Sequence, residues 1–424
     1  MSIVSPLLLL MAIMRTPLFV VIAASALYGF YTEDIDLSVV SIEIYRLAEM
    51  PVLLAIPLFT FAGYMLGEGQ ASQRLVNLTH SLLGWLPGGL AIVAIVACAL
   101  FTAFTGASGV TIVALGALLY PALKEAGYSE KFNLGLLTSS GSLGLLFAPA
   151  LPLILYGVVA QQMDLDQPIS IDQLFIAGAL PGLLMLFLLS IYSMMQPRNE
   201  SIQSKKKHPP AWQSIKDARW ELPLPILVLG GIYSGIFAVS EAAAVTAMYV
   251  LVTEVFIIRE IKIKQLPGII RESMILVGGI MIILGVSLAS TNYLIDTEVP
   301  SRLFDFIREH IDDKLTFLIL LNIFLLVLGM MLDIFSALVI IVPIILPIAV
   351  GYGVDPVHLG IIFLANMQLG YFTPPVGMNL FIASYRFDKP VMTLYKATIP
   401  FFLILLVAVL IITYWPWLTL ALIQ

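Results

Sequence analysis

The chain has 424 residues, 60% of them hydrophobic and 11% charged, with a net charge of −6 and a mean hydropathy of +1.01. A soluble domain carries about 25% charged residues, so this composition belongs to the polytopic membrane class. The acidic balance, with no basic arm or basic-aromatic face, excludes nucleic acid as a partner, and the single cysteine, Cys98, excludes a disulfide framework or a cysteine-based metal cluster.

Taken in chain order, apolar stretches recur at roughly the twenty-residue length that crosses a bilayer as a helix. The N-terminal MSIVSPLLLLMAIM lacks a basic n-region and a small-residue cleavage site, so it reads as part of the mature chain. Spans are predicted near Pro6–Phe30, Pro51–Leu66, Gly89–Phe104, Phe175–Met195, Pro223–Ala238, Glu241–Ile258, Met274–Thr291, Leu315–Met331 and Ile399–Leu420. Interrupted segments lie between Val110 and Gly157 and between Ile334 and Ile382. Ser72–Leu82 and Pro300–Ile311 each follow a span and carry an Arg-Leu pair; they read as amphipathic interface helices or as plain polar connectors. The four histidines (His80, His208, His310, His358) show no metal-ligand spacing, and no hydrolase triad or HExxH motif occurs.

Orientation follows the basic loops. Gln196–Trp220, with Lys205, Lys206, Lys207 and Arg219, is placed in the cytoplasm, and Arg259–Glu272 falls inside again. The acidic loops around QQMDLDQPISID and Asp296–Glu298 fall outside.

The chain also repeats itself. Pro121 and Pro347 are 226 positions apart (347 − 121 = 226), and the same offset pairs Gly127 with Gly353, Leu143-Gly144 with Leu369-Gly370, and Pro149 with Pro375. A first repeat over 1–195, a cytoplasmic basic linker over 196–221, a second repeat over 222–398 and a C-terminal transmembrane helix over 399–424 are therefore expected. Paired Gly/Pro interruptions at corresponding positions of two halves point to a secondary transporter. Here they are FAPALP (Phe147–Pro152) and FTPPVG (Phe372–Gly377). A broken helix offers amide groups to anions and carbonyl groups to cations.

Each break is preceded by a second irregular point. In the first half Thr105, Gly106, Ser108 and Gly109 interrupt an apolar run, and in the second Asp333 and Ser336 do. Asp333, flanked by apolar sequence, is either a functional carboxylate or the cap of a helix at a hairpin tip. Hydroxyls, carbonyls and one carboxylate suit an alkali cation better than a transition metal, and two such sites are expected. Glu241 sits at a turn where capping or a subunit contact competes with a role in transport, and Arg386 reads as an interface anchor.

At these residues the chain resembles the large membrane subunit of TRAP transporters, the tripartite ATP-independent periplasmic importers. The resemblance is carried by FTAFTGASGVTIVALGALLYPALKEAGYSEKFNLGLLTSSGSLGLLFAPALPLILYG, GIFAVSEAAAVTAMYVL and GMMLDIFSALVIIVPIILPIAVGYGVDPVHLGIIFLANMQLGYFTPPVGMNLFIASYRF, and it covers essentially the whole chain. Dicarboxylate-type members are the most similar. The resemblance implies an all-α polytopic membrane protein with two inverted-topology repeats, hairpins and broken helices, divided into elevator-type transport and scaffold domains. It also implies sodium-coupled import of a small organic acid across the bacterial inner membrane, without enzymatic chemistry or a cofactor other than sodium as coupling ion. The expected partners are a separate small four-helix membrane subunit, a periplasmic substrate-binding protein and the lipid bilayer.

On this reading sodium falls to Thr105, Gly106, Ser108, Gly144, Asp333, Ser336, Thr373 and Pro374. The substrate carboxylate falls to Ser108, Ser142, Pro149, Thr373, Gly377 and Asn379. Three positions depart from the family pattern. Ala148-Pro149-Ala150 stands where Pro-Pro-Ser is usual, Gln368 where Glu is usual, and Ala238-Val239-Ser240 where Thr-Pro-Thr is usual. Two other classes stay open: a channel selecting through the Gly/Thr/Pro breaks, and a stand-alone carrier of organic anions that needs no binding protein.

Overall fold

A computed structural model of the chain describes residues 11, 16–86, 88–163, 169–197 and 211–423. The beginning of the first expected span and Lys205, Lys206 and Lys207 lie outside the described residues. Among the described residues every regular element is helical, and seven helices are long and apolar enough to cross a membrane.

The first half opens with α1 (Leu18–Thr32) and α2 (Ser38–Ala48). A short turn, Pro51–Leu54, feeds α3 (Ala55–Glu68), and the amphipathic α4 (Ala71–Leu83) follows. Helices α5 (Gly89–Thr105) and α6 (Ser108–Glu125) form a hairpin, turned by Gly106 at φ 66°. Then come α7 (Glu130–Ser140), a tight turn at Leu143–Leu146, and α8 (Leu151–Gln161), together one span bent by 42°. Helices α9 (Ile171–Ala177), α10 (Ala179–Met194) and α11 (Ala211–Asp217) lead to the second half.

There α12 (Pro223–Tyr233) and α13 (Val239–Leu251, running into a π turn at Val252–Ile257) precede α14 (Leu266–Asp296) and the amphipathic α15 (Val299–His310). The second hairpin is α16 (Lys314–Met331) with α17 (Ile334–Gly351). The second broken span is α18 (Pro356–Gly370) with α19 (Met378–Phe387), and α20 (Val391–Tyr414) and α21 (Trp417–Leu420) close the chain.

Three expected spans change length. Helix α12 stops at Tyr233, ahead of Gly235 at φ 71°. Helix α14 runs 31 residues, because its charged first turns, with Arg271 and Glu272, extend past the apolar window. The last long helix ends at Tyr414, since Pro416 disfavours helix in the residue before it.

The repeat is visible in the caps and ends. Helices α6 and α17 begin and end at positions separated by the same 226 residues as Ser142 and Gln368. Ser129 caps α7 through the Phe132 amide at 3.2 Å, and Asp355, its counterpart, caps α18 through Val357 and His358 at 2.8 and 3.1 Å. The halves interlock: α6 packs on α19 of the other half, and α17 packs on α8 in return. Ser142 donates to the Gln368 carbonyl at 3.4 Å, so corresponding positions meet, as they do on a pseudo-twofold axis.

Close backbone approach holds each break against its hairpin. A Cβ on Gly370 would collide with the Gly329 backbone, and one on Gly144 would lie 2.5 Å from the amide nitrogen of Ala103, the counterpart of Gly329. A smaller second core (Ala62, Met65, Leu66, Val250, Ile269) joins α3, α13 and α14. Beside it Arg74 of α4 donates to Glu221 at 2.6 Å through Nε and to Glu254 at 3.3 Å, and also pairs with Glu260. This partly buried cluster ties α4 to the linker end and to the π turn. Burial pushes the Glu221 carboxyl above its ordinary value, against the opposing pull of Arg74.

Two outcomes follow from this packing. Gly370→Ala should abolish the folded protein or lower its thermal midpoint by several degrees, the scale of a core overpacking worth about 1–3 kcal/mol. Gly278→Ala on α14, where a Cβ meets nothing within 4 Å, should be tolerated; thermal unfolding of the detergent-solubilised variants compares them. The raised carboxyl of Glu221 means that its contribution to stability is complete below the unfolded value and is lost as pH rises through the folded one. The thermal midpoint should therefore decline as pH is raised above the ordinary carboxylate range, and less steeply in Glu221→Gln.

Candidate functional site

The two hairpin tips and the two breaks carry the residues singled out above. At the first tip Thr105 is fully buried, with its hydroxyl 3.5 Å from the Ala107 carbonyl. Ser108 opens α6 and donates to Asn379 Oδ1 at 2.8 Å, across 271 residues of chain. Asn379 in turn donates to the Thr138 carbonyl at 3.4 Å, while its backbone amide reaches the Tyr371 carbonyl at 2.9 Å. The N-termini of α6 and α19 thus meet at one point. Helix N-termini carry partial positive charge, so this junction suits an anionic carboxylate.

The second tip is built around Asp333. Its Oδ1 accepts from the Phe335 and Ser336 amides at 3.0 Å each, and Oδ2 accepts from the Ser336 hydroxyl at 2.5 Å. The capping role left open by the sequence is therefore present in the fold, and the half-buried carboxylate still brings a negative charge to the tip. Tyr371 binds the tip by accepting from the Ile334 amide at 2.8 Å, and the Gly377 amide reaches back to the Met330 carbonyl at 3.1 Å. Thr373 donates to Leu369 at 2.6 Å, within its own break.

The other expected residues lie along the first break, against the first hairpin. Ser142 turns to the carbonyls of Ser139 and Gln368 at 3.3 and 3.4 Å. Gly144 lies in the buried turn against α5, and Pro149, after a cis peptide bond, is buried in the first break. The second break also contains a cis bond, Pro374–Pro375, but there Pro374, Pro375 and Val376 are exposed. The sites are thus unequal: the first is enclosed, the second open.

Sequence reasoning missed part of the polar frame. Thr102 meets Thr111 at 2.6 Å and donates to the Gly141 carbonyl at 2.8 Å, joining hairpin to break in the first half. A hydroxyl in an otherwise apolar helix was the available signal, but nothing local marks its partner. Gln368 is buried, and both polar atoms of its side chain lack a protein partner. A neutral amide tolerates such a position at lower cost than a carboxylate would. Glu241 caps α13 by accepting from the Ala238 amide at 2.9 Å.

Asn379→Ala should cost about 1–3 kcal/mol, because it leaves the buried Ser108 hydroxyl without its acceptor. Ser108→Ala should cost less, about 1 kcal/mol, and the double variant should fall short of the sum. Thermal denaturation of the four proteins measures the coupling.

Comparison with known proteins places the chain in a family. Residues 5–418 match the family described as the DctM component of the tripartite ATP-independent periplasmic transporter. The chain is 34% identical over 384 residues to the C4-dicarboxylate TRAP transporter large permease protein DctM of Pseudomonas aeruginosa, covering 90% of this chain and 88% of that one. It is 35% identical over 367 residues to the isethionate TRAP transporter permease protein DctMQ of Oleidesulfovibrio alaskensis, covering 86% of this chain but 57% of that longer protein. In fold it is similar to the Alcanivorax borkumensis YdaH transporter, with a TM-score of 0.64 at 15% identity over 89% of this chain and 87% of that one. The chain is a transport protein, not an enzyme, and passes several times through the bacterial inner membrane. It belongs to the DctM family of large membrane subunits of tripartite ATP-independent periplasmic transporters.

Proposed function

We propose that the chain is a sodium-coupled importer subunit that moves a small organic acid into the cytoplasm. The observation that carries this reading is the junction of hairpin tips with helix breaks, in which Ser108 meets Asn379 and the Ile334 amide, next to Asp333, donates to Tyr371 of the second break. Hydroxyls, carbonyls and one carboxylate provide hard oxygen donors for sodium at the two junctions. One set is Thr105, Gly106, Ser108 and Gly144; the other is Asp333, Ser336, Thr373 and Pro374. The substrate carboxylate rests on the N-termini of α6 and α19, near Ser108, Ser142, Pro149, Thr373, Gly377 and Asn379. Relatives named for C4-dicarboxylate and isethionate support a small organic anion as cargo.

Coupling arises because the hairpin tips must be ordered before the anion site exists. Sodium meets that ordering cost, so substrate affinity stays low until the cations are bound. A transport body carrying both hairpins and both breaks then moves past a scaffold containing α3, α13 and α14, as in an elevator. A periplasmic binding protein delivers the substrate, and a separate small four-helix membrane subunit completes the transporter.

Uptake of labelled organic acids into proteoliposomes containing the chain, its small subunit and the binding protein tests the reading. Accumulation should require both an inward sodium gradient and the binding protein, and Asp333→Asn should raise the half-saturating sodium concentration about tenfold. Uptake that only equilibrates, ignores sodium, or proceeds without the binding protein would sink the proposal.

A further inference from the structure

Helix α3 and the first hairpin approach each other backbone to backbone at one place. A methyl group on Gly63 would lie 2.5 Å from Thr105 Cα and 2.7 Å from the Phe104 carbonyl oxygen. Both are main-chain atoms, which cannot swing aside as a side chain can. Gly67, one turn along the same helix, differs: a methyl there would lie 3.6 Å from Val110 Cγ1 and 3.8 Å from Phe101 Cζ, ordinary packing distances. The tip also straddles two cores, with Phe101 in the main one and Phe104 packed against the smaller core of α3, α13 and α14. The second break has no such cover, since Pro374, Pro375 and Val376 are exposed.

We propose that Gly63 is the seat on which the first hairpin docks against the scaffold, and that docking positions the Thr105–Ser108 loop for its cation. The inference rests on the sodium reading above and adds a positioning residue outside the ion's own donor set. A seated tip has already lost much of its conformational freedom, so a cation that binds it spends less on ordering. Any side chain at position 63 holds the tip away from α3, and the cation must then supply that ordering itself.

The test uses Ala107→Cys, a half-buried position between the hairpin helices, as a maleimide-labelling reporter in the reconstituted transporter. Cys98, only 2% exposed, adds little background. Introducing Gly63→Ala should speed labelling about tenfold and raise the half-saturating sodium concentration for uptake by a similar factor. Gly67→Ala should change neither. Phe104→Ala removes the packing without a clash and should shift both readouts in the same direction, and it decides the matter if Gly63→Ala fails to fold. A contact that only helps folding would lower yield and leave the sodium dependence alone. The seat is refuted if Gly63→Ala behaves like Gly67→Ala, or if Phe104→Ala leaves labelling unchanged. If the parent protein's uptake ignores sodium, the coupling reading fails, while the labelling comparison between positions 63 and 67 still judges the seat.

Discussion

Inside a bilayer no water is available for a freed backbone group, so every amide or carbonyl released by a broken helix must find its partner within the protein. The two breaks obey this by binding the hairpins and each other. The Gly377 amide goes to Met330, the Ile334 amide to Tyr371, the Gly141 carbonyl accepts from Thr102, and the Gln368 carbonyl accepts from Ser142. Without these pairings neither break could sit at membrane depth. With them, each hairpin is obliged to lie against a break, and the first half is obliged to embrace the second.

The interlocking follows from the same need. Because α6 packs on α19 and α17 on α8, neither half completes its own junction. Ser108 from one half and Asn379 from the other meet through side chains, and the glycines at 144 and 370 let backbone lie on backbone where a methyl group could not fit. Such contacts are stiff, because main-chain atoms cannot swing aside as side chains can.

The symmetry is used unequally. The first break is enclosed, and its tip is pressed onto α3; the second break exposes its prolines. The residues differ accordingly. Ala148 and Ala150 fit an apolar enclosure, whereas Thr373 has a hydroxyl within the open break. Arg74 and three glutamates pin α4 beside the smaller core, which gives the enclosed tip something fixed to rest against.

Lipid imposes rules that a single sequence displays openly. Length and hydropathy marked the spans, and Gly127, Gly353, Pro149 and Pro375 revealed the two halves because only such residues make a turn or a break worth repeating. The hairpin tips were legible for the same reason: Gly106 and Asp333 stand out against an apolar background. Partners were not legible. A helix apolar on all sides gives no sign of which face meets which neighbour, so the pairing of Thr102 with Thr111 and Gly141, the meeting of Ser108 with Asn379, and the fit of Gly63 beneath Thr105 were decided only by tertiary packing. The sequence by itself determined where the backbone breaks, because breaks need special residues; the fold alone decided what satisfies each break, because that depends on the rotation and depth of helices far apart in the chain.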